Sequence, residues 1–212
     1  MHVGLDFDNT IACYDRLFYR VAVERGLIPA SVPAHKKAVR DFLRAGGRES
    51  DWTRLQGIVY GPCMPQADLF PGVIEFLAAC QAVAVSVSVV SHKTRTPASG
   101  ERCDLHQAAM KWIESKLLLD DGVAGLRLDR IYFEPDRRRK AERIHQLGCT
   151  HFVDDLPEFL AEDFLPPNVV WLLFDPNDEH ASARAGILRL RNWAEATSLI
   201  RRLGLGEEVT VQ

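Results

Sequence analysis

The sequence predicts an α/β protein: a parallel sheet with helices between its strands, and a small helical insert directly after the first strand. Three observations carry this. Five short runs rich in branched or aromatic residues read as buried strands: His2–Phe7, Val83–Ser91, Asp129–Glu134, Thr150–Asp155 and Val169–Asp175. Segments with apolar residues at helical spacing alternate with most of them, the rhythm of a parallel α/β sheet. The stretch Tyr14–Asp68 breaks that rhythm, and its roughly 55 residues are too many for a plain connection in such a domain.

Each element has a local reason. The insert reads as two or three short helices, with Leu17 and Val21 on the first, Val39, Phe42 and Leu43 on the second, and Trp52 and Leu55 on a third. Pro29, Pro33, Gly46, Gly47, Gly61, Pro62 and Pro65 punctuate them. Helix Pro71–Ala82 places Val73, Phe76, Leu77 and Cys80 on one face. Helix Leu105–Leu118 follows Asp104, with Gln107 completing a capping pattern. Its stripe is Leu105, Ala108, Ala109, Trp112 and Ile113. A shorter helix, about 138–147, stops at Gly148, a residue suited to a left-handed cap. Pro157 and Glu158 open the next helix after Asp155. Asn192 caps the last, which runs to Leu203 and Gly204. The expected division is a core of residues 1–13 and 69–212, with residues 14–68 inserted.

Chemistry-bearing side chains collect where these strands end, the place where open parallel sheets gather function. The first strand runs into Asp6-Phe7-Asp8-Asn9-Thr10. Two carboxylates so close repel and raise a pKa unless a cation relieves them, and Mg²⁺ prefers such oxygen ligands. Helix capping, or metal binding without chemistry, is the other reading of this motif taken alone. The second strand ends in Val90-Ser91, whose hydroxyl and following amides suit a phosphate oxygen. Lys140 stands near the start of the helix leading into the fourth strand, where an ammonium can neutralise a carboxylate and a phosphate together. That strand ends in a second acidic pair, Asp154-Asp155. Taken singly, a turn serine, a solvated lysine and a helix-capping aspartate account for the last three. Taken in order, the four signals reinforce one another.

On these residues the chain resembles the haloacid dehalogenase-like (HAD) hydrolase superfamily. The matching pieces are Val3 to Thr10, Val89-Val90-Ser91, Lys140 and Phe152-Val153-Asp154-Asp155, with Phe70 to Leu77 similar to the helix before that family's second motif. The resemblance implies a three-layer α/β/α Rossmann-like sheet, with the insert as a small α-helical cap. It implies Asp6 as nucleophile, forming an aspartyl-phosphate, and Asp8 as general acid and base. It implies Mg²⁺ held by Asp6, the backbone carbonyl of Asp8 and Asp154, with Thr10 locking the loop and Asp155 orienting water or holding Lys140. Ser91 would bind a phosphoryl oxygen and Lys140 would stabilise nucleophile and phosphate. Family members that split carbon–halogen bonds lack an acidic residue at the Asp8 position, so the expected reaction is phosphoryl transfer.

The expected substrate is a small phosphorylated metabolite. Asn9, His92, Lys93 and Arg95 are the candidate contacts, the last three because they follow Ser91 directly. Arg16, Arg20, Lys36, Lys37, Arg40 and Arg44 make the insert basic, which fits an anionic substrate or merely solvated helix faces. Phe18, Trp52 and Tyr60 suit either a pocket roof or the insert's own core. Phosphoryl transfer to an acceptor other than water, attack on a polynucleotide end, and phospho-ligand binding without turnover are the alternatives. The placement argues against a two-component receiver, whose phosphorylated aspartate ends a later strand and whose acidic pair ends the first.

Composition narrows the remaining classes. With 47% hydrophobic and 26% charged residues the chain is neither disordered nor fibrous. The longest apolar run, Phe76–Val90, is broken by Gln81, Ser86 and Ser88 and is shorter than the ~20 residues that span a bilayer. The start lacks a basic, apolar export signal, so a cytoplasmic protein without a membrane partner is expected. Lys plus Arg number 26 against 29 Asp plus Glu, a net charge of −3, which argues against a dedicated nucleic-acid binder. Five scattered cysteines without a CxxC pair are expected as reduced thiols.

Overall fold

The computed structural model describes residues 1–117, 130–180 and 186–204. Leu118 and Asp129, expected ends of a helix and a strand, lie outside the described residues. In chain order the elements are β1 (His2–Leu5), β2 (Ala12–Cys13), α1 (Asp15–Glu24), α2 (Lys36–Ala45), α3 (Glu49–Tyr60) and β3 (Asp68–Leu69). They continue with α4 (Val73–Ala82), β4 (Ser86–His92), α5 (Leu105–Leu117), β5 (Ile131–Glu134) and α6 (Arg137–Gln146). The last are β6 (His151–Asp154), α7 (Pro157–Leu160), β7 (Val170–Phe174), β8 (Leu188–Leu190) and α8 (Trp193–Gly204). Packing divides the chain into two compact units.

The first unit comprises Met1–Ile11, Phe70–His92 and Leu117–Gln212. It holds a six-stranded sheet in the order β5-β4-β1-β6-β7-β8, and every pairing in it is parallel. Helices flank the sheet, as a three-layer Rossmann-like architecture requires. After β1 the chain builds one wing, then crosses back to build the other, so β1 and β6 are neighbours at the point where the winding reverses. That crevice is where doubly wound sheets bind ligands.

Strand alternation sorts the core into two faces. Phe152 and Leu173 join Ala141 and Ile144 of α6 and Phe159 of α7 in one cluster. On β7 the neighbour of Leu173, Phe174, packs instead against Phe70 and Trp193, whose ring centroids lie 5.0 and 5.4 Å away. Gly4 explains how β1 sits so tightly in the middle. A Cβ there would stand 2.7 Å from Phe152 Cε2, so only glycine lets this ring cross the strand.

The caps behave as the residue types dictate. Asp104 Oδ1 accepts from the Gln107 amide at 2.9 Å, and Asn192 Oδ1 from the Glu195 amide at 3.0 Å. Gly148 adopts φ +65°, the left-handed stop that follows α6. Strand β8 was not expected: its three residues carry too short a pattern to stand out, and pairing with β7 makes it a strand.

The second unit comprises Ala12–Leu69 and Lys93–Lys116. Its insert carries the three helices α1, α2 and α3, where two or three short ones are expected. Where the insert leaves and rejoins the sheet domain's sequence, β2 and β3 form a two-residue antiparallel ladder, Ala12 opposite Leu69 and Cys13 opposite Asp68. Phe18, Trp52, Tyr14 and Tyr60 form its aromatic core; Phe18 stacks on Trp52 at 5.0 Å, and Tyr14 meets Tyr60 edge-on at 5.0 Å. The sequence division places Lys93–Lys116 in the α/β core. Here that segment joins the insert, because the Trp112 indole donates to the Ala67 carbonyl at 3.0 Å and Gly57 leaves no room for a side chain beside Pro97 and Ser99.

Candidate active site

The site is built at the carboxyl ends of β1, β4 and β6, and its centre is a buried ion triad. The Lys140 ammonium donates to Asp6 Oδ1 and to Asp154 Oδ2, each at 2.6 Å. Asp6 is far in sequence from the other two, and all three are nearly sealed from solvent: residue exposures are 2% for Lys140, 5% for Asp6 and 0% for Asp154. Local structure places each one. Asp6 follows directly on β1 and its amide donates to the Val153 carbonyl at 2.8 Å, which locks β1 to β6 at the winding reversal. Asp154 ends β6, and its other oxygen, Oδ1, accepts the Leu156 amide at 2.9 Å, so both carboxylate oxygens have a fixed direction. Lys140 lies in the first turn of α6, which Asp136 caps by accepting the Arg139 amide at 2.8 Å. Phe159 and Phe152 lie beneath the ammonium, their ring centroids 4.6 and 5.3 Å from Nζ.

Burial dominates the electrostatics. It pushes the Asp6 carboxyl up to about 7, helped by Asp154 and Asp8 and opposed by Lys140. For Lys140 burial acts downward, but the Asp154 and Asp6 charges outweigh it and the ammonium is held above its ordinary value. One cation thus faces more carboxylate than it neutralises. Asp155 adds to the excess: oxygens of Asp6, Asp154 and Asp155 lie within 4.8 Å of one another. An all-oxygen, net-negative donor set with partly exposed edges suits Mg²⁺. These residues fit that ion.

The same architecture occurs in solved structures, although no family model and no curated protein matches the sequence. A HAD-family hydrolase from Deinococcus radiodurans R1, crystallised with bound phosphate and sodium, matches at TM-score 0.60 and 18% identity over 96% of each chain. A HAD-superfamily hydrolase from Ehrlichia chaffeensis matches at TM-score 0.53 and 15% identity, over 95% of this chain and 96% of that one. A dehalogenase matches at TM-score 0.55 and 15% identity, over 93% of this chain and 96% of that one. The chain has the HAD fold.

On this HAD fold the expected site residues fall into two groups. Asp6, Lys140, Asp154 and Asp155 are brought together. Asp8, two residues on and half-buried, acts electrostatically on Asp6. Ser91 is buried near the end of β4, two positions past the Val89–Leu5 pair and so level with the start of the Asp6 loop. His92 lies near Lys140; burial first, and that ammonium second, lower its pKa. Asn9 takes φ 61°, a left-handed turn that asparagine tolerates better than most residues. Lys93 and Arg95 belong to the second unit. There Lys93, buried, holds its ammonium 4.8 Å from the Tyr60 ring centroid, and the mostly exposed Arg95 bonds to Asp104 at 3.1 Å.

Thr10 behaves differently from the expected lock. Its hydroxyl is enclosed and bonds to no group among the described residues, whereas its carbonyl accepts the Trp193 indole N–H at 3.2 Å. Sequence reasoning missed Trp193, and with it Phe152 and Phe159 under Lys140. An aromatic residue just after a helix cap carries no chemical signal until the fold shows what its nitrogen faces.

Proposed function

We propose that the chain is a hydrolase, specifically a Mg²⁺-dependent phosphatase that cleaves a small phosphomonoester through an aspartyl-phosphate on Asp6. The buried Asp6–Lys140–Asp154 triad at the winding reversal, with Asp8 two residues past the nucleophile, carries this reading. Asp6 Oδ1 is fixed by Lys140, leaving Oδ2 as the attacking oxygen on phosphorus. Attack forms the Asp6–phosphorus bond and breaks the ester bond; Asp8 gives its proton to the departing oxygen. Water then attacks the same phosphorus, Asp8 takes back a proton, and inorganic phosphate leaves with Asp6 restored. Ser91 and Lys140 hold the non-reacting phosphoryl oxygens. Asp6, Asp154 and the Asp8 carbonyl, with Asp155 beside them, would hold Mg²⁺, which supplies charge to offset that of the transferring group. The phosphate bound to the Deinococcus HAD hydrolase is consistent with such a site.

The fold itself does not choose the bond that breaks, since the structures sharing it include a dehalogenase. Asp8 chooses: a halide leaves without a proton, whereas an alkoxide needs one.

The test is release of inorganic phosphate from a panel of phosphomonoesters, with Mg²⁺ and with chelator. Turnover should require the metal. Asp6→Asn should abolish it, and Asp8→Asn should remove it or leave phosphorylated protein visible by intact mass. Full activity in Asp6→Asn refutes the nucleophile; turnover only with an added acceptor shows transfer rather than hydrolysis; binding without turnover shows a sensor.

A further inference from the structure

We propose that Trp193, on the C-terminal helix α8, is the positioning residue for the Asp8 loop, holding it through the backbone of Thr10. The proposal rests on the phosphatase reading for its catalytic consequence, and on geometry alone for the holding itself.

The loop 7–11 is a tight reversal. Ile11 N–H bonds to the Phe7 carbonyl at 3.0 Å, Asn9 sits at positive φ, and Phe70 N–H bonds to the Ile11 carbonyl at 3.0 Å. These bonds tie the ends of the turn. Its exit, two residues beyond Asp8, depends on Thr10, and the Thr10 side chain contributes no bond among the described residues. What grips Thr10 is the Trp193 indole, from 183 positions along the chain.

Trp193 is built as a rigid post. It is fully buried, the first residue of α8, and lies directly after the Asn192 cap. Glu195 turns back to accept the Arg191 amide at 2.8 Å, so the helix start is bonded on both sides of Trp193. Its ring meets Phe76 at 4.8 Å and Phe174 at 5.4 Å. Gly72, at φ +91°, fits beneath: a Cβ there would come 2.8 Å from Trp193 Cβ. An indole clamped on these sides cannot swing, and its N–H therefore fixes the Thr10 carbonyl in space. A general acid must stand within hydrogen-bond reach of the leaving oxygen, and displacement of about 1 Å costs up to about a hundredfold in rate.

Trp193→Phe keeps an aromatic ring against Phe76 and Phe174 and removes the donor. With p-nitrophenyl phosphate and Mg²⁺ we expect kcat to fall about ten- to a hundredfold while KM stays within about twofold. In the metal-free protein the amides of residues 9–11 should exchange with deuterium about tenfold faster. Ile200→Val, a core change in the same helix, should lower the melting temperature with neither effect. Unchanged loop exchange in Trp193→Phe overturns the proposal, as does a kcat loss no larger than that of Ile200→Val. A wild-type protein inert toward every phosphomonoester would sink the phosphatase reading instead, and loop exchange would then judge the Trp193 grip by itself.

Discussion

Lys140→Met is the most informative single change in the sheet domain. Methionine keeps the unbranched stem over Phe152 and Phe159 and deletes only the cation. Two carboxylates, 5% and 0% exposed, then face each other with no ammonium 2.6 Å from each. Removing one partner from a buried ion cluster costs about 3–5 kcal/mol, because an uncompensated charge is left behind. For a chain of this size that lowers the melting temperature by roughly 6–20 °C at about 2–4 °C per kcal/mol. The loss should be smaller at acid pH, where Asp6, already raised to about 7, takes a proton and removes the repulsion. Saturating Mg²⁺ should return part of it, about 2.7 kcal/mol at a hundred times its Kd. Adding Asp154→Asn to the variant should also restore stability, since the second charge disappears. Denaturant unfolding with and without Mg²⁺, alongside phosphate release, measures all of this. A cost below about 1 kcal/mol in chelator, with turnover within twofold of wild type, would refute both the triad's energetics and the role given to Lys140.

Two further outcomes follow from the packing and from histidine burial. Gly4→Ala forces a methyl into the Phe152 ring and should destabilise by about 1–3 kcal/mol in a urea titration; a neutral result would mean that β1 and β6 are not so closely apposed. Burial holds the His2 imidazole below its ordinary 6.5, with Nδ1 at 2.8 Å from the Leu147 carbonyl and Nε2 at 2.9 Å from the Ser88 hydroxyl. The unfolded chain takes up a proton as pH falls through about 6.5 and the folded chain resists it, so this stability, present above 6.5, is lost on acidification through the folded value. Wild type should therefore lose more stability than His2→Gln between about pH 7.5 and 5.5, and equal losses would contradict the assignment.

Much of the sheet domain was legible because its determinants are local. Five of its six strands, and Asp6 and Asp154 at the ends of two of them, show in runs of apolar residues that terminate in carboxylates. Helix α8 announces itself through Asn192 and Glu195. Strand β8 did not, since three residues are too few for a period to register. The grouping of Lys93–Lys116 with the insert was hidden because it depends on Trp112 reaching Ala67 and on a glycine at position 57, neither of which spacing reveals.

By itself, then, the sequence determined the order of the strands along the chain, the helical insert and the acidic residues offered at strand ends, because periodicity and capping are short-range physics. Only the tertiary structure decided that β1 and β6 adjoin, that Lys140 bridges Asp6 and Asp154, and that Trp193 rather than the Thr10 hydroxyl grips the loop. Those facts depend on distances between groups set apart along the chain, by as much as 183 positions, and such distances come into being when the sheet winds in both directions from its first strand.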